Sequence, residues 1–384
     1  MGSVGVGIIG CGGRVRGLAK MLIQRDPNVK ITALCDPRPE SIEASKQALN
    51  SEAAVYEDCR AMAAAGDVDW VMIGSFNCFH REHAVAAMEA GKHVFCEKPL
   101  ATTLEDCLAM RDARDRTGRT FYMGFTLRHA PHYRRIRKLL DDGTIGKVVS
   151  FEFNETLDFN HGGFIHTDWR RLTKYAGSHL LEKCCHDIDL ALWMVGSLPV
   201  TVAGFGGLDY FLPANVGEVG RIGPSPTGTV AFNLWRRSTR CTDPFTSDKD
   251  ILDNQVAIMQ FAGGVRATFH ANACAGLPER RMYILGTEGA IRADVLTGKI
   301  EVRRTGWNEP STLYDNRGGG HGGGDTVLID ELLAAIHTGA APAASLEEGL
   351  RSAITCFAID EATRTGRVVD VRPLWKKAAI AVDG

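Results

Sequence analysis

The stretch Val4-Gly5-Val6-Gly7-Ile8-Ile9-Gly10-Cys11-Gly12-Gly13-Arg14-Val15 decides how the first third of the chain folds. A short apolar run of strand length ends in a cluster of glycines, and helical spacing begins immediately after it. Glycines there let the backbone turn tightly and approach a pyrophosphate, whose charge rests on the N–H groups opening the helix. The third small residue of a G-x-G-x-x-G fingerprint is missing, because Val15 stands in its place. A second apolar run, 30–35, ends in Cys35-Asp36, which sets a carboxylate about twenty residues beyond the glycines. An acid at that point accepts from the ribose hydroxyls and repels a 2′-phosphate, so NAD is expected over NADP. Arg38 is the neighbour able to pair with such a phosphate.

Outward from this stretch, strand-like runs at 4–9, 30–35, 70–73, 93–96 and 120–123 alternate with helical spacing at 14–25, 40–49, 57–65, 81–90 and 104–117. Such alternation means βαβ units and a parallel sheet. Thr103 with Asp106 forms a capping box, and Gly118 stops the helix it opens. Beyond Gly124 the rhythm changes. A helix at 133–140 is followed by strands at 148–153, 200–204, 256–261, 265–272, 281–285 and 300–304, with one helix, 180–195, among them. Helices return at 325–337 and, opened by Ser345 and Glu348, at 346–364. The expected class is α/β: a Rossmann domain over 1–125, then a substrate-binding and oligomerisation domain over 126–384 with a large, mostly antiparallel open sheet. The C-terminal helices are free to pack back on the first domain.

Composition narrows the partners. Lys and Arg total 44 against 46 Asp and Glu, so no strong field points to nucleic acid or an anionic membrane. No apolar run reaches the roughly 18 residues a spanning helix needs. The eleven cysteines are scattered, with Cys184 and Cys185 adjacent and no C-x-x-C, which fits reduced thiols in a cytoplasm. The expected partners are a small molecule and further copies of the chain.

Several motifs follow in order: Asp69-Trp70-Val71-Met72-Ile73 running to His80, Gly91-Lys92-His93-Val94-Phe95-Cys96-Glu97-Lys98-Pro99-Leu100, Gly143-x-x-Gly146, Trp169-Arg170, Gly177 leading to His186-Asp187-x-Asp189, and Gly286-Thr287-Glu288-Gly289 before a strand. Together, and above all through Glu97-Lys98-Pro99 directly after a Rossmann strand, they resemble the Gfo/Idh/MocA oxidoreductase family over essentially the whole chain. The resemblance implies a sugar, cyclitol or related polyol as substrate, and a homodimer or homotetramer built on the open sheet. Position by position, it sets Ser75, Asn77 and His80 along the dinucleotide, Glu97 and Lys98 beside the nicotinamide, and Arg128 near the cofactor. These join Gly10, Gly12, Gly13, Arg14, Asp36 and Arg38. Where the family commonly carries Asp four residues before the histidine, this chain carries Glu182.

The chemistry these residues support is alcohol oxidation. Lys98 supplies positive charge or proton transfer beside the reacting oxygen. Glu182 and His186, four apart on a helix, lie on one face, the geometry of a carboxylate orienting an imidazole that moves a proton. No third ligand is spaced for zinc, so no metal is expected. Trp169, Arg170, His186 and His321 are the candidate substrate contacts, an apolar plate and polar groups for hydroxyls. The expected function is an NAD-dependent oxidoreductase acting on a hydroxyl or keto group of a sugar, cyclitol or glycoside. The alternatives are a glycosidase or lyase that uses tightly bound NAD transiently, and a non-catalytic NAD sensor, which the presence of Lys98, Glu182 and His186 argues against.

Overall fold

The computed structural model describes residues 3–232 and 243–382. They divide into two compact units. The first runs to Ala130 and includes Gly323–Ala353; the second comprises Pro131–Gly322 and the residues from Ile354 on.

The first unit is a six-stranded sheet of β1 (Val4–Ile9), β2 (Val29–Cys35), β3 (Ala54–Tyr56), β4 (Trp70–Ile73), β5 (His93–Glu97) and β6 (Phe121–Gly124). Its order is β3-β2-β1-β4-β5-β6, every pair parallel. β1, β4 and β5 are almost wholly buried, as strands covered on both faces must be. β3 was not expected from the sequence: its three residues lie half-open at the edge, too short for a periodic signal. The helix expected at 57–65 is the shorter Cys59–Ala63, started by the Asp58 carboxylate on the N–H groups of Arg60 and Ala61. Leu328, Ile329, Leu332 and Ala335 from the helix Gly324–Thr338 share one core with Leu18 and Leu22 of the helix Gly13–Arg25.

The second unit is a nine-stranded sheet of β7 (Val148–Thr156), β8 (Pro199–Gly207), β9 (Asn254–Phe261), β10 (Arg266–Asn272), β11 (Arg281–Gly286), β12 (Gly289–Asp294), β13 (Lys299–Arg304), β14 (Thr312–Asp315) and β15 (Val369–Asp370). Its order is β14-β13-β12-β11-β7-β10-β9-β8-β15. β7 and β10 are parallel and the other pairs antiparallel. The α/β class, with a mostly antiparallel second sheet, is therefore the one expected. β9 and β10 alternate strictly between buried and open positions, so one face is packed and the other presents Val256, Ile258 and, from β8, Phe205 to solvent. On the packed face the helix Cys185–Val195 lies against β7.

The helix expected at 180–195 is two structures in series. A π-turn spans Leu180–Cys184 and the α-helix begins at Cys185. A π-turn adds a residue to one turn, which a periodicity reading does not resolve. The helix Phe159–Thr167 was also missed, because Gly162-Gly163 inside it lowers helical propensity.

Three buried groups, Glu155, Asp187 and Arg280, and the half-buried Lys183 fasten this region. Lys183 lies 3.2 Å from Glu155 of β7. Arg280 donates to both Asp187 oxygens at 2.8 and 2.7 Å and reaches Glu155 at 2.5 Å. Burial raises Asp187 above the usual carboxylate range. Burial would raise Glu155 too, but Arg280 and Lys183 outweigh it and lower that group. Removing one member of a buried pair leaves an uncompensated charge. Arg280→Met is therefore expected to cost ~3–5 kcal/mol of unfolding free energy in urea. A loss under ~1 kcal/mol would show that Glu155 and Asp187 do not depend on it.

Candidate active site

In the first unit, the turn after β1 is shaped by contact and by open space. Gly10 has φ +79, and a Cβ there would lie 2.3 Å from the Ser75 nitrogen. Gly12 has nothing within 4 Å of such a Cβ, and Gly13 only Arg16 Nη2 at 3.9 Å. The helix Gly13–Arg25 starts with no side-chain cap and no acid in its first turn. Its orphan N–H groups and positive end are thus left for an anion, beside backbone that a ligand can approach closely. These residues fit a dinucleotide pyrophosphate. Val15, the departure from the fingerprint, is accommodated from the other side, since a Cβ on Gly74 would fall 2.1 Å from Val15 Cγ2. The missing small residue has moved to the loop after β4.

Asp36 closes this turn. Its carboxylate accepts from the Cys11 N–H and the Arg38 N–H, at 2.8 and 2.9 Å. Arg38 leans toward it at 3.7 Å. Arg14, expected at the pyrophosphate, bonds to three protein groups: Nε to Glu97 at 2.9 Å, Nη2 to Thr126 at 2.6 Å and Nη1 to Asp325 at 2.7 Å. It ties the glycine turn, the end of β5 and the helix Gly324–Thr338 together, and it holds the Glu97 carboxylate. Thr126 and Asp325 were missed in the sequence because nothing local marks a partner so distant along the chain. Lys98 follows Glu97 and is half-buried.

The loop after β4 is held by histidines. Ser75 Oγ hydrogen-bonds with His83 Nδ1 at 2.9 Å, and burial pushes His83 down to about 4. His80, expected to line the dinucleotide, is fully buried. Its Nδ1 donates to the Pro99 carbonyl at 2.8 Å, and Nε2 lies 3.3 Å from the Ser75 carbonyl. It links the two loops that carry Ser75 and Lys98. Asn77 is buried, and Arg128 is half-buried in the turn Thr126–His129.

In the second unit, Trp169, Arg170, Glu182 and His186 are brought to one region. Arg170 donates from Nε to Glu182 at 3.0 Å and from Nη1 to Asp168 at 2.7 Å. Its guanidinium carbon sits 4.5 Å from the Trp169 ring centre and 5.0 Å from that of Phe164. Arg170, expected on the substrate, is thus a clamp on Glu182, and one face of Trp169 is taken by the clamp. Glu182 and His186 are both buried, on the π-turn and the helix after it.

Two histidines that the sequence reading passed over border this pair. His161 and His179 are pushed down to about 3 and about 4, first by burial, which keeps both neutral at physiological pH. His161 sits on the helix Phe159–Thr167, and the charged groups that act on it are Lys183, Glu155 and Glu182. His321 is exposed in the glycine turn, with φ 51. Among the described residues, no group of three or more His, Cys, Asp or Glu could hold a metal ion.

A Rossmann sheet with a glycine cradle, joined to a domain carrying an acid–histidine pair beside a large sheet, defines a dinucleotide-dependent oxidoreductase architecture. The family model "Oxidoreductase family, NAD-binding Rossmann fold" matches residues 4–125, and "Oxidoreductase family, C-terminal alpha/beta domain" matches 137–371. The chain belongs to the Gfo/Idh/MocA oxidoreductase family. It is 30% identical over 342 residues to levoglucosan dehydrogenase of Pseudarthrobacter phenanthrenivorans, covering 82% of this chain and 83% of that one. It is 27% identical over 293 residues to 2,7-anhydro-N-acetylneuraminate hydratase of Escherichia coli, covering 76% and 68%. A solved structure of levoglucosan dehydrogenase in complex with NADH and levoglucosan shares the fold, with a TM-score of 0.79 at 23% identity over 96% of this chain and 99% of the other.

The exchange of bulk between Val15 and Gly74 is testable by stability. Gly74→Ala overpacks the turn and is expected to cost ~1–3 kcal/mol. Val15→Ala in the same chain should return most of that loss in thermal denaturation. An unaltered melting temperature in Gly74→Ala would mean that the two loops do not meet as described.

Proposed function

We propose that the chain is an NAD-dependent oxidoreductase acting on a hydroxyl or keto group of a sugar, cyclitol or glycoside. The observation that carries the reading is the carboxylate of Glu182, fixed by Arg170 at 3.0 Å and four residues before His186. A held carboxylate four residues before an imidazole is suited to orienting that imidazole for proton transfer from an alcohol. The 30% identical levoglucosan dehydrogenase supports a carbohydrate-like substrate.

Bound nicotinamide supplies the hydride acceptor or donor. Gly10, Gly12, Gly13 and the start of the helix Gly13–Arg25 bind the pyrophosphate. Asp36 accepts from the ribose and disfavours a 2′-phosphate. Lys98, next to an anchored Glu97, holds developing negative charge on the reacting oxygen. His186 takes the hydroxyl proton, and Glu182 orients its ring and favours the imidazolium that results. Trp169 and His321 contact the remainder of the substrate. The exposed Phe205, Val256 and Ile258 support a homodimer or homotetramer, and the cysteines among the described residues, free and mostly buried, support a reducing, cytoplasmic location.

A second reading is favoured by the hydratase relative, whose name describes no net oxidation. In that case NAD, held by the same residues, would supply hydride chemistry with no net redox change, and the reaction would be an elimination, hydration or glycoside cleavage. The two readings separate on one measurement. A dehydrogenase accumulates NADH stoichiometrically with oxidised polyol over a panel of sugars, inositols, anhydrosugars and glycosides, whereas the second converts substrate with none.

Lys98→Met should keep NAD affinity while kcat falls ~10²–10³-fold; near-normal turnover in the folded variant would remove Lys98 from the chemistry. Asp36→Ala should weaken NAD and improve NADP relative to it in titration calorimetry. Wild-type protein binding NADP as tightly as NAD would refute the role of Asp36.

A further inference from the structure

The segment bearing Glu182 begins at an unusual corner. Gly177 takes φ +75, and a Cβ there would lie 2.6 Å from Leu181 Cδ2, so Leu181 folds directly over it. Ser178 comes next. Its Oγ accepts from the Leu181 N–H at 3.0 Å, and its carbonyl accepts from the Glu182 N–H at 2.9 Å. The first turn of the π-segment is therefore closed on Ser178 by both side chain and backbone. The Ser178 hydroxyl has one hydrogen to give, and it gives it to Asp360 Oδ2 at 2.5 Å. Asp360 stands on the helix Leu346–Thr365, nearly two hundred residues further along, within the same unit. Gln255 of β9 aims its amide at the other Asp360 oxygen at 3.5 Å, while donating to Thr363 at 2.8 Å.

We infer that Asp360 is a positioning residue for the Glu182–His186 pair, acting through the Ser178 hydroxyl that closes the turn on which the pair is carried. This rests on the oxidoreductase reading above. With its hydrogen committed to Asp360, the Ser178 oxygen has its lone pairs aimed at Leu181, and Glu182 leaves the turn in one direction toward Arg170. The groups facing the carboxyl are the Ser178 hydroxyl, the Gln255 amide and, on its own helix, Thr363; all are uncharged. Burial, with no charged neighbour to relieve it, pushes Asp360 up to about 6. An acid whose folded value exceeds its unfolded one loses stability as pH rises between the two, so the ionised form is held at some cost to the fold. An Asn would avoid that cost while keeping an acceptor for Ser178.

The test pairs activity with backbone protection in the full-length protein. Asp360→Ala should speed amide exchange in peptides covering 177–184 by about fivefold, as a lost hydrogen bond does. It should lower kcat about 10–100-fold and leave the KM for NAD unchanged. Ser178→Ala should do the same, and the double variant should be no worse than either single one. Asp360→Asn should restore most of the rate and raise the melting temperature at neutral pH, and its stability advantage over the wild type should shrink as pH falls below about 6. Unchanged exchange in Asp360→Ala, additive losses in the double variant, or unchanged kcat despite faster exchange would each overturn the inference. If Asp360→Ala does not fold, Ser178→Ala and Asp360→Asn carry the comparison. If wild-type protein oxidises no polyol, the functional reading fails, while the exchange data still decide whether Asp360 holds the turn.

Discussion

One guanidinium carries the second unit. Arg280 spans Glu155 in the middle of the sheet and Asp187 on the helix above it, and Lys183 completes the neutralisation from within the π-turn. Charges so placed tolerate little displacement, because each depends on the others for a substitute for water. The arrangement leaves Glu182 and His186 on a segment pinned at its middle by Lys183, at its end by Asp187 and at its start by Ser178. Arg170 adds a fourth constraint directly on Glu182. Two arginines and a lysine thus serve carboxylates of the protein itself, and the acid–histidine pair is held by charge as much as by apolar packing.

The first unit reaches similar rigidity by steric exchange. Val15 fills the space that Gly74 leaves, and Arg14 bonds to three separate segments. The glycine cradle stays open only at Gly12 and Gly13, the positions where backbone is wanted near a ligand. His80, fixed between the Ser75 and Pro99 carbonyls, couples the loops after β4 and β5.

Elements with strong periodicity were legible in the sequence. The β1–glycine–helix stretch, β4, β5 and the run of strands from β7 to β11 could be read from apolar spacing, and Glu97-Lys98-Pro99 pointed to the family. What escaped has specific causes. β3 and β15 are two or three residues long, and the helix Phe159–Thr167 carries paired glycines. The π-turn differs from an α-helix by one residue in register. Among site residues, Arg14 and Arg170 are ligand candidates from the sequence, and the fold also gives them carboxylate partners, Glu97 and Asp325 for one and Asp168 and Glu182 for the other. Thr126, His161 and Asp360 gave no local sign, because their partners are chosen by the fold.

The first unit is discontinuous: its core is finished by Leu328, Ile329 and Leu332, which follow the whole sheet of the second unit up to β14. A ribosome therefore releases the dinucleotide-binding sheet long before the helix that completes its core has been made. Until the helix Gly324–Thr338 emerges, Leu18 and Leu22 lack part of their cover, and the nascent sheet is a target for chaperones or for premature association. The second unit is discontinuous in the same way, since it takes in the residues from Ile354 on, so neither unit is complete before the helix Leu346–Thr365 has been made.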